Sequence, residues 1–293
     1  MTNSGVYIST AALRGRSLAD MLDLLEARGL KRLELGLLEG PVDGLGALLR
    51  EAREKRGFEF IIHNYFPPPA RPFVLNPASI DPDHRARCLD LCRTAIDLSA
   101  RLDAPFYSIH AGFTVRAEPG DLGGDLSRLP RIPRGLAETA MVETLRRLSD
   151  QAGDRLDILV ENHVLIPANR VDGGNELLPG ALPDELLGLL EAVDRENVGL
   201  LIDLGHLKVT AATMGQAPEA WFERLAPLTR AWHLHDNDGT ADTHGPLDEA
   251  AWFWPLAGKA PAEKTALIIE AAGLSPENLV RQTELVERRW PRK

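Results

Sequence analysis

The chain has 293 residues and a formal net charge of −10, which argues against a diffuse affinity for nucleic acid or anionic membranes. Hydrophobic residues make up 44% and charged residues 26%, the balance of an ordinary globular protein, and no run of 18 apolar residues is present to cross a bilayer. Two cysteines, Cys88 and Cys92 in "CLDLC", exclude a disulfide scaffold and predict half-buried reduced thiols in a cytoplasmic protein. The opening "MTNSGVYISTAALRG" has no basic segment followed by an apolar one, so no signal peptide is expected.

Taken in chain order, eight short apolar or β-branched runs read as strands. They are "VYIST" (6–10), "RLELG" (32–36), "FEFIIHN" (58–64), "PFYSIHAG" (105–112), "LDILVENH" (156–163), "VGLLIDLGH" (198–206), "RAWHLHD" (230–236) and "ALIIEAAG" (266–273). Amphipathic segments lie between them, such as "SLADMLDLLEARGL" and "HRARCLDLCRTAIDLSARL". Ser17 is placed to cap the first and Gly29 to close it, while Pro183 and Pro218 fall where first helical turns belong. Eight strand–helix units predict one (β/α)8 TIM barrel over 1–293. The rival, a doubly wound sheet, lacks its usual glycine-rich loop after the first strand. Three long irregular segments (66–81, 113–134 and 164–182) each follow a strand end, where such barrels carry their active sites.

From the third strand onward, apolar runs end in residues able to bind a metal: His63, His110, Glu161, Asp203 (with His206 three residues on), His233 and Glu270. Residues two apart on a strand share a face, so Glu161, Asp203 and Glu270 follow Leu159, Leu201 and Ile268 on one face. Each histidine alone is more simply a hydrogen-bonded residue, and Glu270 alone a salt-bridge partner. Convergence changes that reading. Several carboxylates and imidazoles at one apolar mouth are costly to bury without a cation, and this donor set suits zinc, manganese, iron or cobalt. Parity puts both His233 and His235 toward the mouth and does not say which is a ligand. His163 shares parity with Glu161 and is a candidate substrate contact, as are His235 and Tyr65. Glu34 lies on the mouth side of the second strand, as a substrate contact or a structural ion pair.

The motifs "VEN" at Glu161, "IDLGH" at Asp203–His206, "HLHDNDG" continuing to Asp242 and His244, and "IIE" at Glu270 resemble the xylose isomerase-like TIM-barrel superfamily. That superfamily joins sugar isomerases and epimerases with endonuclease IV, and the resemblance covers essentially the whole chain. In the epimerase branch it implies one divalent ion on Glu161, Asp203, His233 and Glu270. In the endonuclease IV branch it implies three zinc ions, with His63, His110, His206, Asp242 and His244 added. The chain departs from both branches. "NYFPPPARP" after His63 is unlike the nuclease's DNA-inserting loop, although Tyr65 and Phe66 offer wedges. "DNDGTAD" has no arginine where epimerases carry one.

The resemblance implies one to three divalent ions, zinc or manganese foremost. The first expectation is an isomerase or epimerase of a sugar or sugar derivative, with Glu161 and Glu270 moving a proton beside a metal-stabilised ene-diolate. The second is a multinuclear-zinc phosphoesterase, in the extreme an abasic-site endonuclease. Arg71, Arg116, Arg128, Arg131 and Arg134 in the long loops are its candidate phosphate contacts. A third is a metal-dependent binding module without turnover. A small sugar-like substrate is expected ahead of nucleic acid, with no membrane partner.

Overall fold

The computed structural model describes residues 5–261 and 265–290; the outermost ends of the expected 1–293 domain lie outside the described residues. Eight parallel strands close into a barrel in sequence order: β1 (Val6–Ser9), β2 (Arg32–Leu35), β3 (Glu59–His63), β4 (Phe106–His110), β5 (Asp157–Glu161), β6 (Val198–Asp203), β7 (Thr229–Leu234) and β8 (Ala266–Ile269). The helices are α1 (Leu18–Ala27), α2 (Leu45–Arg56), α3 (Pro82–Arg101), α4 (Arg134–Ala152), α5 (Pro183–Val193), α6 (Leu204–Thr213), α7 (Pro218–Leu225) and α8 (Pro276–Arg289). They are not dealt one per strand. Both α6 and α7 lie between β6 and β7, and among the described residues a short 3-10 segment, Trp254–Lys259, is the regular element between β7 and β8.

Local sequence explains the boundaries. The Ser17 hydroxyl accepts from the Asp20 amide at 3.1 Å and starts α1. Pro183 and Pro218 open α5 and α7, where a missing amide costs nothing. The run "VGLLIDLGH" was expected to be strand through His206, but β6 stops at Asp203. The Asp203 carboxylate accepts from the His206 amide at 2.7 Å, so it caps α6 directly and puts His206 in the first turn of that helix. Cys88 and Cys92 are free and fully buried on α3. Burial pushes their thiols up to about 11 and about 12.

Strand alternation sorts the side chains into an outer and an inner set. The outer set, including Phe60, Ile62, Tyr107, Val160, Ile202 and Trp232, packs under the helices. The inner set begins with a separate apolar layer: Tyr7, Ile61, Phe106, Leu159, Leu201, Ala231, Ala266 and Ile268. This layer is the floor of the barrel mouth. A third core sits above the strand ends, where the long loops bury Val74, Phe113, Val115, Leu126, Leu165 and Leu177 against one another. The 66–81, 113–134 and 164–182 segments therefore form a packed roof over one side of the mouth. Arg134 ties it down with ion pairs to Glu138 and Glu185, both at 2.7 Å.

Candidate metal centre

One step of two residues above the apolar floor, the inner positions turn polar: Ile61 is followed by His63, Leu159 by Glu161, Leu201 by Asp203, Ala231 by His233 and Ile268 by Glu270. Glu161 is the hub. Its Oε2 lies 3.3 Å from Nε2 of both His63 and His110. Its Oε1 lies 3.0 Å from His233 Nδ1. His233 Nδ1 in turn lies 3.1 Å from Glu270 Oε2 and 3.7 Å from Asp203 Oδ2. The donor atoms fall into groups within 4.8 Å of one another. One is His63, His110 and Glu161; a second is Glu161, Asp203, His233 and Glu270; a third is His206, His235, Asp242 and His244.

The third group is assembled from three elements. His206 comes from α6, His235 from just beyond β7, and Asp242 and His244 from the loop that follows. That loop is folded back by an antiparallel bridge between Asp236 and Gly245, with Asn237 Oδ1 accepting from the Gly239 amide at 2.9 Å. Asp242 Oδ2 then stands 3.1 Å from His206 Nε2 and 3.0 Å from His244 Nε2. His235 Nε2 reaches Asp203 Oδ2 at 2.9 Å and Asp242 Oδ1 at 3.7 Å. All nine residues that the resemblance implied as ligands thus converge, and His235 joins them as a donor.

Second partners aim several of these imidazoles. His206 Nδ1 donates to the Asn162 carbonyl at 2.9 Å, and His244 Nδ1 to the Glu270 carbonyl at 3.2 Å. His63 Nδ1 is 3.0 Å from Ser108 Oγ. Asn162 also clamps β5 to β6, because its side chain accepts from the Asp203 amide at 2.7 Å and donates to the Asp203 carbonyl at 3.1 Å. His163 packs behind His110. Its Nε2 donates to the Gly112 carbonyl at 2.8 Å, and its ring stacks on His110 at 4.8 Å. Tyr65 is turned into its own loop, where its hydroxyl accepts from the Phe73 amide. Neither is brought into a donor group. Glu34, open in the sequence between a substrate contact and a structural ion pair, is paired with His233. It is fully buried and holds His233 Nε2 at 2.9 Å.

The buried imidazoles and carboxylates of the centre shift one another. Burial lowers the basicity of His233, but Glu270, Glu34 and Glu161 outweigh it and hold the imidazole well above its ordinary value. His206 is likewise held high, burial being outweighed by Asp203 and Asp242. His244 is pushed up to about 9, burial being outweighed first by the Asp242 bond. Burial opposes the shift at Glu270 too, yet His233 holds that carboxyl down to about 2. His110 and His163 go the other way under burial, His163 to about 3. Glu161 Oε2 and Asp242 Oδ1 are buried with no hydrogen-bond partner among the described residues. Buried carboxylate oxygens that face imidazole nitrogens and make no hydrogen bond fit a divalent cation.

A cleft of about 270 Å³ opens beside the mouth between the loops after β3 and β4, lined in part by Val74, Asn76, Val115, Arg116, Arg131 and Ile132. Of the loop arginines, Arg116 makes a 3.8 Å pair with Asp81 and is 76% exposed, whereas Arg134 is committed to the roof.

Among curated proteins, residues of this chain match an uncharacterised protein of Methanocaldococcus jannaschii with 24% identity over 204 residues, 69% of this chain and 59% of that relative's length. Among solved structures, a D-tagatose 3-epimerase-like protein superposes with a TM-score of 0.73 at 20% identity, covering 97% of this chain and 96% of the other. A Thermus thermophilus protein, in crystals soaked with zinc chloride, superposes with a TM-score of 0.61 at 21% identity, covering 97% and 99%. Residues 18–271 match the family model described as the xylose isomerase-like TIM barrel, and the chain belongs to that family.

Proposed function

We propose that this chain is a divalent-metal-dependent enzyme that holds more than one ion and hydrolyses a phosphoester. One observation carries the proposal: the two oxygens of Glu161 face different donor groups, Oε2 toward His63 and His110 and Oε1 toward His233. A carboxylate shared in this way suits two neighbouring cations. A single ion on Glu161, Asp203, His233 and Glu270 leaves His63, His110, His206, Asp242 and His244 buried or half-buried without a task. When bound, the ions supply Lewis-acid charge and lower the pKa of coordinated water. The chain supplies the rest. Its apolar floor keeps water from entering below, its carboxylates accept protons at the mouth, and second partners hold the imidazoles of His63, His206, His233 and His244 at fixed angles. Zinc or manganese suits this donor set.

A second reading is an isomerase or epimerase of a sugar or sugar derivative. It is favoured by the placement of Glu161 Oε1 and Glu270 Oε2, 3.0 and 3.1 Å from the same His233 nitrogen. Two carboxylates at one mouth can take a proton from a substrate carbon and return it. The solved epimerase-like neighbour, similar in fold, is in keeping with it. Both readings place a small polar substrate at the barrel mouth, and neither rests on nucleic acid. Assays on the zinc- and manganese-loaded chain separate them. The first predicts release of nitrophenol from bis(p-nitrophenyl) phosphate. Solvent deuterium entering a ketohexose at carbon, with no phosphoester cleaved, would replace it by the second. An abasic-site oligonucleotide in parallel tests the nuclease extreme.

A further inference from the structure

Four imidazoles of the centre have one nitrogen on a second partner and the other toward the donor groups. For His63, His206 and His244 the outward nitrogen is Nδ1 and the inward one Nε2. Their second partners are a hydroxyl and two backbone carbonyls. His233 is inverted. Its Nδ1 faces the oxygens of Glu161, Glu270 and Asp203, and its Nε2 faces Glu34 Oε1 at 2.9 Å. Its second partner is also a carboxylate, the one such case among the four.

We infer that Glu34 of β2 is a positioning residue that fixes the inverted tautomer of His233. As a carboxylate, Glu34 accepts through Oε1 a hydrogen carried on Nε2, and a neutral imidazole then offers its lone pair at Nδ1. Nδ1 points at the oxygens of Glu161, Glu270 and Asp203, the donor group it belongs to. Both side chains are fully buried, so water does not compete for Nε2. Glu34 also lies within reach of His63 in a possible donor group with His233, which makes direct ligation the alternative that the test must separate. The inference rests on the proposed metal dependence.

The test uses zinc on the full chain and two readouts other than turnover. In the zinc-loaded wild type, ¹⁵N shifts of the histidine rings should show His233 bound through Nδ1 with hydrogen on Nε2. Zinc competition against a chromophoric chelator should show Glu34→Ala losing affinity for one ion by about ten- to a hundredfold, the stoichiometry at saturation being unchanged. Glu34→Gln keeps an acceptor oxygen for Nε2 and should retain the tautomer with a smaller loss, which also covers failure of the alanine variant to fold. Binding of zinc through Nε2 in the wild type overturns the inference, as does an alanine variant with unchanged affinity. Loss of a whole equivalent of zinc in both variants makes Glu34 a ligand and overturns it too. A wild type that binds no zinc or manganese removes the metal reading itself, and the inference with it.

Discussion

The barrel interior has two layers built by the same strands, two residues apart, and they are stabilised in opposite ways. The lower layer, with Leu159, Leu201 and Ile268, is apolar and complete in itself. The upper layer, with Glu161, Asp203 and Glu270, is also buried but unfinished, since Glu161 Oε2 has no hydrogen-bond partner among the described residues. Alternation supplies both layers. The difference is what each needs: the lower layer needs only shape, whereas the upper one needs cations or protons. The barrel thus keeps its rigid, dry base directly beneath its reactive surface.

The sharpest way to break the comparison is to remove the hub of the upper layer. Glu161→Ala should lower metal-dependent turnover by about 1,000-fold or more, the scale on which preorganised charge acts in such sites. Metal content should fall with it, while the circular dichroism of the barrel is retained. The mirror experiment is Leu201→Ala in the lower layer. It should cost about 2–5 kcal/mol of stability through the cavity it opens, seen as a lower denaturation midpoint, with unchanged ion stoichiometry. If both variants lose stability and ions equally, the two layers are not distinct.

A smaller effect separates cations from protons as the balancing charge. In chelator-treated protein, His244 is raised from 6.5 to about 9. A group raised on folding contributes stability that is complete below 6.5 and is lost as pH climbs through about 9. Glu270 is lowered from 4.5 to about 2, so its contribution is complete above 4.5 and is lost as pH falls through about 2. Metal-free protein should therefore unfold more easily from pH 6.5 to 9, and adding zinc should flatten that slope. A chelated protein with no slope there contradicts the pairing. The smallest change is Tyr65→Phe, which removes an acceptor for the Phe73 amide in the roof. It should cost about 0.5–1.5 kcal/mol and leave turnover intact; a large fall in turnover would return Tyr65 to the substrate.

How much of this was legible in the sequence depends on how local each signal is. Alternation along a strand is local, so Glu161, Asp203, His233 and Glu270 could be read from apolar runs that end in a polar residue. The run through His206 misled, because an aspartate that caps the next helix leaves no loop to mark where the strand stops. Asp242 and His244 sit in a loop with no periodicity, and only the resemblance singled them out. Glu34 was visible as a residue but not in its role, because its partner His233 is 199 positions away. His163 has the strand parity of Glu161, but it lies beyond the end of β5, where parity no longer dictates direction. Tyr65, beside a proline-rich stretch, looked like a wedge; packing turned it inward onto Phe73, at a ring separation of 5.6 Å.

The central claim is that the two oxygens of Glu161 would each help hold a different cation. Anomalous scattering at the zinc and manganese edges, from crystals of the loaded protein, tests it most directly. The account predicts at least two peaks, one on each side of the Glu161 carboxylate, the first beside His63 and His110 and the second beside Asp203, His233 and Glu270. A single peak on Glu161, Asp203, His233 and Glu270, with His63 and His110 bare, would contradict it.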